Sequence, residues 1–226
     1  MAGPTVLPGA ESELKHYLRF QWCRDQLMKE EVVIVPRLDK ETDGRGSTGK
    51  LFSETLNTPA TISNRIVIFH DPSIEPTSHP DSDSIWLPVT TCTVFYTLGD
   101  GVCGFGDICH GGIQSTLLDD VMGVFGIINA RLQDGMIPSR PPGKFFPRNN
   151  PRMLNLAKKS IATQGIQVDF LRPLRAPTVI QVTVNLKDIE HDGNSFLVHG
   201  VIKDGKGREY AKAQARWVVF SGRRKL

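Results

Sequence analysis

Three features in one short stretch carry the reactive potential of this chain: His110, the glycine pair Gly111-Gly112 directly after it, and the acid Asp119. The glycines open a run that stays apolar on nearly every side, through Leu117, Leu118, Val121, Met122, Val124, Phe125, Ile127 and Ile128 to Ala130. Such a pattern predicts a buried helix. The first amides of a helix have no acceptor within it, and its dipole adds positive charge at that end. Glycine lets other backbone or a ligand come close. The tip therefore suits an anion or an oxyanion. Ser115, Asp119, Gly123, Gly126 and Ala130 recur at helical spacing, a stripe of small residues carrying one carboxylate. A buried carboxylate is costly unless it is paired or used.

His110 and Asp119 are nine residues apart, which is on the order of 13 Å along a helix axis. One substrate carbonyl cannot touch both. If the tip holds an oxyanion and Asp119 activates the attacking group, the two must come from antiparallel copies of the helix. This predicts a site shared across a homodimer interface.

The elements that must position these groups follow from hydrophobic periodicity. Glu11 to Glu31 reads as one amphipathic helix, and Val32 to Val35 as a short extended run stopped by Pro36. Arg37 to Asn64 is polar and reads as loop. Within it Gly44-Arg45-Gly46-Ser47-Thr48-Gly49-Lys50 imitates a phosphate-binding loop, but Leu51 stands where that motif needs Ser or Thr for magnesium. Strands are expected at Arg65–His70 and from about Pro88 to Leu98, with His79 in the turn-rich connection between them. Alternation then marks Ile166/Val168/Phe170, Ile180/Val182/Val184/Leu186, Phe196/Val198/Gly200/Ile202 and Ala211/Ala213/Ala215/Trp217/Val219. Three alanines in succession on one face let the helix lie close. The result is an α+β architecture, an antiparallel β-sheet with one wet face, wrapped around a long central α-helix. His191 and His199 read as turn and surface residues. The stretch 131–160 holds Arg131, Arg140, Lys144, Arg148, Arg152, Lys158 and Lys159 against the single acid Asp134. It is either a solvated excursion or a basic flap that grips phosphate or an acidic carrier protein.

Composition narrows the classes further. With 226 residues, 39% of them hydrophobic, the chain has enough for a sizeable core, and a net charge of +3 is too mild to argue for nucleic acid. No apolar run reaches the length of a membrane span. The first ten residues lack the layout of a secretory signal, so the cytosol is the expected compartment. Cys23, Cys92, Cys103 and Cys109 form no C-x-x-C pair and have no histidines at zinc spacing, so reduced thiols and no metal are expected.

Cys103-Gly104 through His110-Gly111-Gly112, followed by Leu117-Leu118-Asp119-Asp120-Val121-Met122-Gly123, closely resembles the signature of hotdog-fold acyl-CoA thioesterases of the PaaI-like type. The strand Thr93 to Gly99 before it and Thr163 to Pro173 after it fall in family order. The resemblance spans roughly Ile66 to Phe220. It implies the hotdog fold for a thioesterase domain over 61–226; it does not explain the first sixty residues, read as a helical extension and loop over 1–60, or the basic insertion at about 131–160. It also implies hydrolysis of an acyl thioester, on coenzyme A or a carrier protein, with no cofactor beyond the coenzyme A of the substrate. By that likeness the Gly111 N–H polarises the thioester carbonyl. Asp119 from the other subunit activates water or attacks directly, Thr163 assists it, and His110 belongs to the same catalytic set. Gly112, Ser115, Arg148 and Arg172 are the expected substrate-binding residues, with Arg175 beside Arg172. Many family members carry a polar residue where this chain has Gly104, and Asp107 and His110 are the candidate substitutes. Competing readings are a dehydratase, lyase or cyclase built on the same scaffold, and an acyl-binding module without catalysis. The hydratase motif Gly-Asp-x-Asn-Pro is incomplete here, since Asn-Pro does not follow Gly106-Asp107. A homodimer is expected, with pairing to a tetramer through sheet faces left open.

Overall fold

The computed structural model describes residues 3–36, 49–72, 84–137, 151–157, 159–190 and 193–220. The chain opens with strand β1 (Thr5–Val6), helices α1 (Glu11–Tyr17) and α2 (Gln21–Leu27), and strand β2 (Val32–Val35). A single π turn at Leu51–Thr55 precedes strands β3 (Ile62–His70) and β4 (Thr91–Leu98). A small hairpin, β5 (Cys103–Phe105) and β6 (Ile108–Cys109), feeds helix α3 (Gly111–Asp134). Strands β7 (Ser160–Phe170), β8 (Thr178–Ile189), β9 (Ser195–Lys203) and β10 (Glu209–Phe220) follow.

Eight strands form one sheet in the order β1-β2-β3-β4-β8-β9-β10-β7, antiparallel except for the β1–β2 pair. The two-residue alternation sends Val94, Tyr96, Ile180, Val182, Val198, Ala211 and Ala215 to the inner face. There they pack on Leu117, Leu118, Val121, Phe125, Ile128 and Leu132 of α3. At Gly200 of β9 an added Cβ would sit 2.9 Å from both Leu118 and Met122, so only glycine lets the helix approach that strand. A long helix held by an antiparallel sheet is the hotdog arrangement, as expected. The helix ends at Gly135 in the left-handed region (φ +68°), and the Met136 N–H closes on the Arg131 carbonyl at 2.9 Å.

The far half of α3 anchors chain rather than chemistry. The Asn129 amide takes the Val89 N–H at 3.0 Å and gives to the Val89 carbonyl at 3.1 Å. Gln133 gives to the Leu154 carbonyl and accepts from the Leu156 and Ala157 N–H groups. Both amides are buried, and each is matched to backbone that otherwise has no partner in the sheet.

Three expectations need correction. The first helix is broken: Leu18–Phe20 leave the helical path, with Phe20 extended (φ −99°, ψ 117°), so α1 and α2 are separate. The sheet does not keep one wet face over its whole width. Helices α1 and α2 cover the outer side of β2, β3 and β4, burying Val32, Ile34, Ile66, Ile68 and Phe95 under Tyr17, Cys23 and Leu27. The Tyr17 hydroxyl pins them by donating to the carbonyls of Asn64 (2.7 Å) and Phe95 (3.1 Å). Helix α3 is not covered on every side either: Gly112 and Ile127 are exposed, and Thr116, Asp119 and Gly123 between them are half-buried. These five recur on one helix face. The phosphate-loop imitation at 44–48, His79, His191 and the basic residues Arg140, Lys144, Arg148 and Lys158 lie outside the described residues.

Candidate functional site

The tip of α3 is built by residues around a capping histidine. His110 is extended at the N-cap position, and its Nδ1 accepts the Gly112 N–H at 2.9 Å. That bond places the proton of the neutral ring on Nε2. The carbonyl of His110 takes the N–H groups of Ile113 (3.0 Å) and Gln114 (3.1 Å). The Gly111 N–H is left, and among the described residues nothing accepts it. It points out of a helix end at which the dipole is positive.

Gly104 explains how the imidazole fits. A Cβ there would stand 2.7 Å from His110 Cδ2, closer than atoms tolerate. The ring occupies the room a side chain at 104 would claim. Asp107, the other candidate substitute for a polar residue at 104, is paired with the Arg175 guanidinium at the surface.

Asp119 lies on the open strip of α3, where Asp119 Oδ1 accepts the Thr163 hydroxyl at 2.7 Å. Thr163 reaches it because of a bulge in β7. Gly165 pairs with Arg216 but Thr163 pairs with Trp217, so Gln164 is the extra residue. Without that insertion Gln164 would face inward in place of Thr163. Trp217 beside it packs against the helix with the outer edge of its indole. A Cβ on Gly123, one turn beyond Asp119, would meet its ring at 3.1 Å. The glycines of the small-residue stripe thus admit Trp217 at 123, and Ile161 with Phe196 at 126.

The neighbouring acid has a different task. Asp120 Oδ2 receives the Arg65 guanidinium at 2.5 Å and the Tyr96 hydroxyl at 2.6 Å. Arg65 is 2% exposed and sits between the rings of Phe52 (5.2 Å) and Tyr96 (5.6 Å). Burial, with Asp120 adding to it, pushes the Tyr96 hydroxyl well above its ordinary range. Sequence reading assigned none of these three residues. The signal was an arginine in the middle of an apolar strand, which requires a buried carboxylate somewhere.

The remaining expected residues divide by location. The Ser115 hydroxyl donates back to the Gly111 carbonyl at 3.1 Å. Arg172 is exposed beyond the end of β7 and gives one N–H to the Glu209 carbonyl at 2.7 Å. Arg148 lies outside the described residues. The structure therefore brings His110, Gly111 and Gly112 together at the tip, and Asp119 with Thr163 at mid-helix. Eight residues separate Gly111 from Asp119 on one helix, on the order of 12 Å along its axis.

Burial pushes the Cys23 and Cys109 thiols up to about 12, and all four cysteines are unbridged, the behaviour of packing residues. Among the described residues no group of three His, Cys, Asp or Glu is arranged to hold a metal. No described helix is long and apolar enough to cross a membrane.

No protein-family model matches the chain. Among solved structures the chain is similar to the Escherichia coli PaaI protein of the phenylacetic acid degradation operon, with TM-score 0.41, 15% identity, 58% of this chain and 74% of that one. It is also similar to a hypothetical thioesterase with coenzyme A from Streptococcus pneumoniae, with TM-score 0.42, 14% identity, and 60% and 82% of the two chains. A Streptococcus mutans protein bound to acetyl CoA gives TM-score 0.42 and 14% identity over 64% and 89%. In sequence, the chain is 54% identical over 221 residues to verlamelin biosynthesis protein B of Lecanicillium sp., covering 98% of this chain and 94% of that protein. At that identity over nearly the full length of both, this hotdog-fold chain belongs to the family of verlamelin biosynthesis protein B.

Proposed function

We propose that the chain hydrolyses an acyl thioester as a cytosolic homodimer, with each site built from the α3 tip of one copy and Asp119 of the other. The carrying observation is the pairing of an oriented, half-buried carboxylate with a helix-tip amide that has no acceptor, too far apart on one helix to serve one carbonyl. The open strip from Gly112 to Ile127 supports a second helix lying against the first, and Ile166, Phe170 and Leu171 on and just beyond the edge strand β7 are large apolar groups left exposed.

In this reading Thr163 fixes one oxygen of Asp119, and the other takes a proton from water as the water oxygen bonds to the thioester carbon. The carbonyl electrons move to oxygen, where the Gly111 N–H and the helix dipole receive them, with the His110 Nε2–H beside them. Collapse of the adduct breaks the C–S bond, and the thiolate leaves with the proton returned from Asp119. The products are a carboxylic acid and a thiol. General-base activation contributes about a hundred- to ten-thousandfold and an oxyanion donor roughly a hundred- to a thousandfold. The name of the Lecanicillium relative ties that protein to a biosynthetic route. Release of a finished acyl chain from its thiol carrier is a step such a route can use.

Thiol release measured across short, long and aryl acyl-CoAs tests this. Release by the native chain and a loss of about a hundredfold or more in Asp119→Asn, with folding intact, is the expected result. Binding without release would favour an acyl-binding module, and neither would favour the lyase or cyclase reading.

A further inference from the structure

The hairpin that feeds the α3 tip holds two thiols opposite each other. Cys103 of β5 and Cys109 of β6 are direct partners in the antiparallel register. The His110 N–H bonds to the Val102 carbonyl at 2.9 Å, so the neighbouring pair is the hydrogen-bonded one. The Cys109 N–H turns the other way, to the Leu174 carbonyl at 2.8 Å. Hydrogen-bonded and non-hydrogen-bonded pairs alternate along such a ladder, which makes Cys103 and Cys109 a non-hydrogen-bonded pair. The Cα atoms of such a pair stand about 4.5 Å apart, with both side chains on one face. That separation falls inside the span of roughly 4.4 to 6.8 Å that a disulfide bridges.

The two thiols differ in access. Cys103 is half-buried, next to an exposed turn from Gly104 to Asp107, whereas Cys109 is 2% exposed. Cys103 Sγ lies 4.0 Å from the Ala176 carbonyl and Cys109 Sγ 3.8 Å from the His110 carbonyl, weak contacts that either sulfur gives up at small cost. Strand β6 is held from its far side, where the Ala176 N–H meets the Asp107 carbonyl at 2.9 Å, so the spacing of the hairpin is set before any bridge forms. The residues next to the two cysteines, Gly104 and His110, already touch, since the His110 ring fills the room above Gly104. A bond between the sulfurs closes the hairpin into a ring just below that contact.

We propose that Cys103 and Cys109 form a reversible disulfide across the β5–β6 hairpin on reaction with a small disulfide such as oxidised glutathione, and that this bond clamps the base of the α3 tip. Cys103 Sγ attacks one sulfur of glutathione disulfide. The S–S bond of the oxidant breaks, and one glutathione leaves with the Cys103 proton. Cys109 Sγ then attacks Cys103 Sγ, and the second glutathione leaves with the Cys109 proton. Two cysteines are oxidised and one glutathione disulfide is reduced to two thiols. Burial, with Cys103 adding to it, pushes the Cys109 thiol up to about 12, which makes it a poor nucleophile toward solutes. Held beside a mixed disulfide on Cys103, it gains an effective concentration that no solute thiol reaches.

Peptide mapping of the full chain tests the assignment. The protein is held in oxidised glutathione, then in an excess of reduced glutathione, quenched, alkylated in denaturant and cleaved before Asp100 and Asp107, which puts the two cysteines on separate peptides, 100–106 and 107–118. In oxidised glutathione these two peptides are expected joined and two hydrogens lighter than their sum. Cys23 and Cys92, both fully buried, should stay alkylated as free thiols. Reduced glutathione should release the join. Cys109→Ser should stop with glutathione on Cys103, and Cys103→Ser should carry none on Cys109. Amide exchange over the first turn of α3 should slow by about tenfold in the bridged chain. No joined peptide, a bridge to Cys23 or Cys92 instead, a join that survives excess reduced glutathione, or unchanged exchange at the tip would overturn the proposal, as would glutathione on Cys109 in Cys103→Ser. Should either serine variant fail to fold, the peptides and exchange of the native chain decide. None of these readouts uses thioester turnover, so the bridge stands or falls separately from the hydrolase reading.

Discussion

His110 Nδ1 accepts the Gly112 N–H at 2.9 Å, and the His110 carbonyl takes the next two amides, which leaves the Gly111 N–H as the one donor of the first helical turn without an acceptor among the described residues. A residue that looks catalytic by type thus also acts as a cap that selects which amide stays available.

Gly111→Pro removes that one N–H at a position where proline is otherwise tolerated, because the first helical residue has no acceptor inside the helix and His110 is already extended (ψ 136°). Thioester cleavage should fall by roughly a hundred- to a thousandfold while far-UV circular dichroism stays native. Gly111→Ala, which keeps the amide, serves as the control and should retain most of the activity.

Mixing Gly111→Pro with Asp119→Asn tests the shared site. Two inactive homodimers that exchange subunits form mixed dimers in which one of the two sites is intact, so activity should return to roughly a quarter of the native level. A mixture that stays silent after demonstrated exchange would place both groups in one chain.

Gly104→Ala drives a methyl into the His110 ring, at 2.7 Å from Cδ2. The displaced imidazole uncaps the Gly112 amide, at a cost of about 1 kcal/mol in stability. We expect a drop of about tenfold in kcat/KM with little change in fold, read by thiol release and thermal melting.

Arg65→Met leaves Asp120 without its cation in the core and should destabilise by about 3–5 kcal/mol in urea unfolding. Removing both partners, as Arg65→Met/Asp120→Leu, should cost less than the two single changes added together. Additive losses would show that the pair is not coupled.

Burial alone would raise the Asp204 carboxyl, but hydrogen bonds from Arg208, Tyr210 and Lys206 outweigh it and hold the group below its ordinary value. A carboxyl depressed in the folded state stabilises above its unfolded pKa, and the contribution fades as pH falls through the folded value. Between about pH 6 and pH 3 the native chain should therefore lose more stability than Asp204→Asn. Parallel urea midpoints would contradict this.

The tip of α3 could be read from His110-Gly111-Gly112 alone, because glycine pairs before an apolar helix leave few alternatives. The strands β8, β9 and β10 followed from alternation, since each has one face inside. Less legible was the cover on the outer side of β2 and β3. Its signal was present in the unbroken runs Val32-Val33-Ile34-Val35 and Ile66-Val67-Ile68-Phe69, which mark strands buried on both faces. Nothing local marks the break at Leu18–Phe20. It follows from the need of both Tyr17 and Cys23 to face the sheet. Thr163 fell outside the alternation because the bulge at Gln164 shifts the phase, so only family likeness reached it. Asp119 and Asp120 look equivalent in sequence, but adjacent helical positions diverge by about 100°, and the partners waiting on each side decide their tasks.

The two short helices over β2, β3 and β4 shape how larger assemblies can grow. Back-to-back stacking of two sheets needs bare outer surface, and on this side the chain has already spent it on its own N-terminus. What stays uncovered is the band from β9 to β7, studded with His199, Lys212, Gln214 and Arg216. Any union of dimers through that band would be held by ionic and polar complementarity, and would dissolve as salt is added.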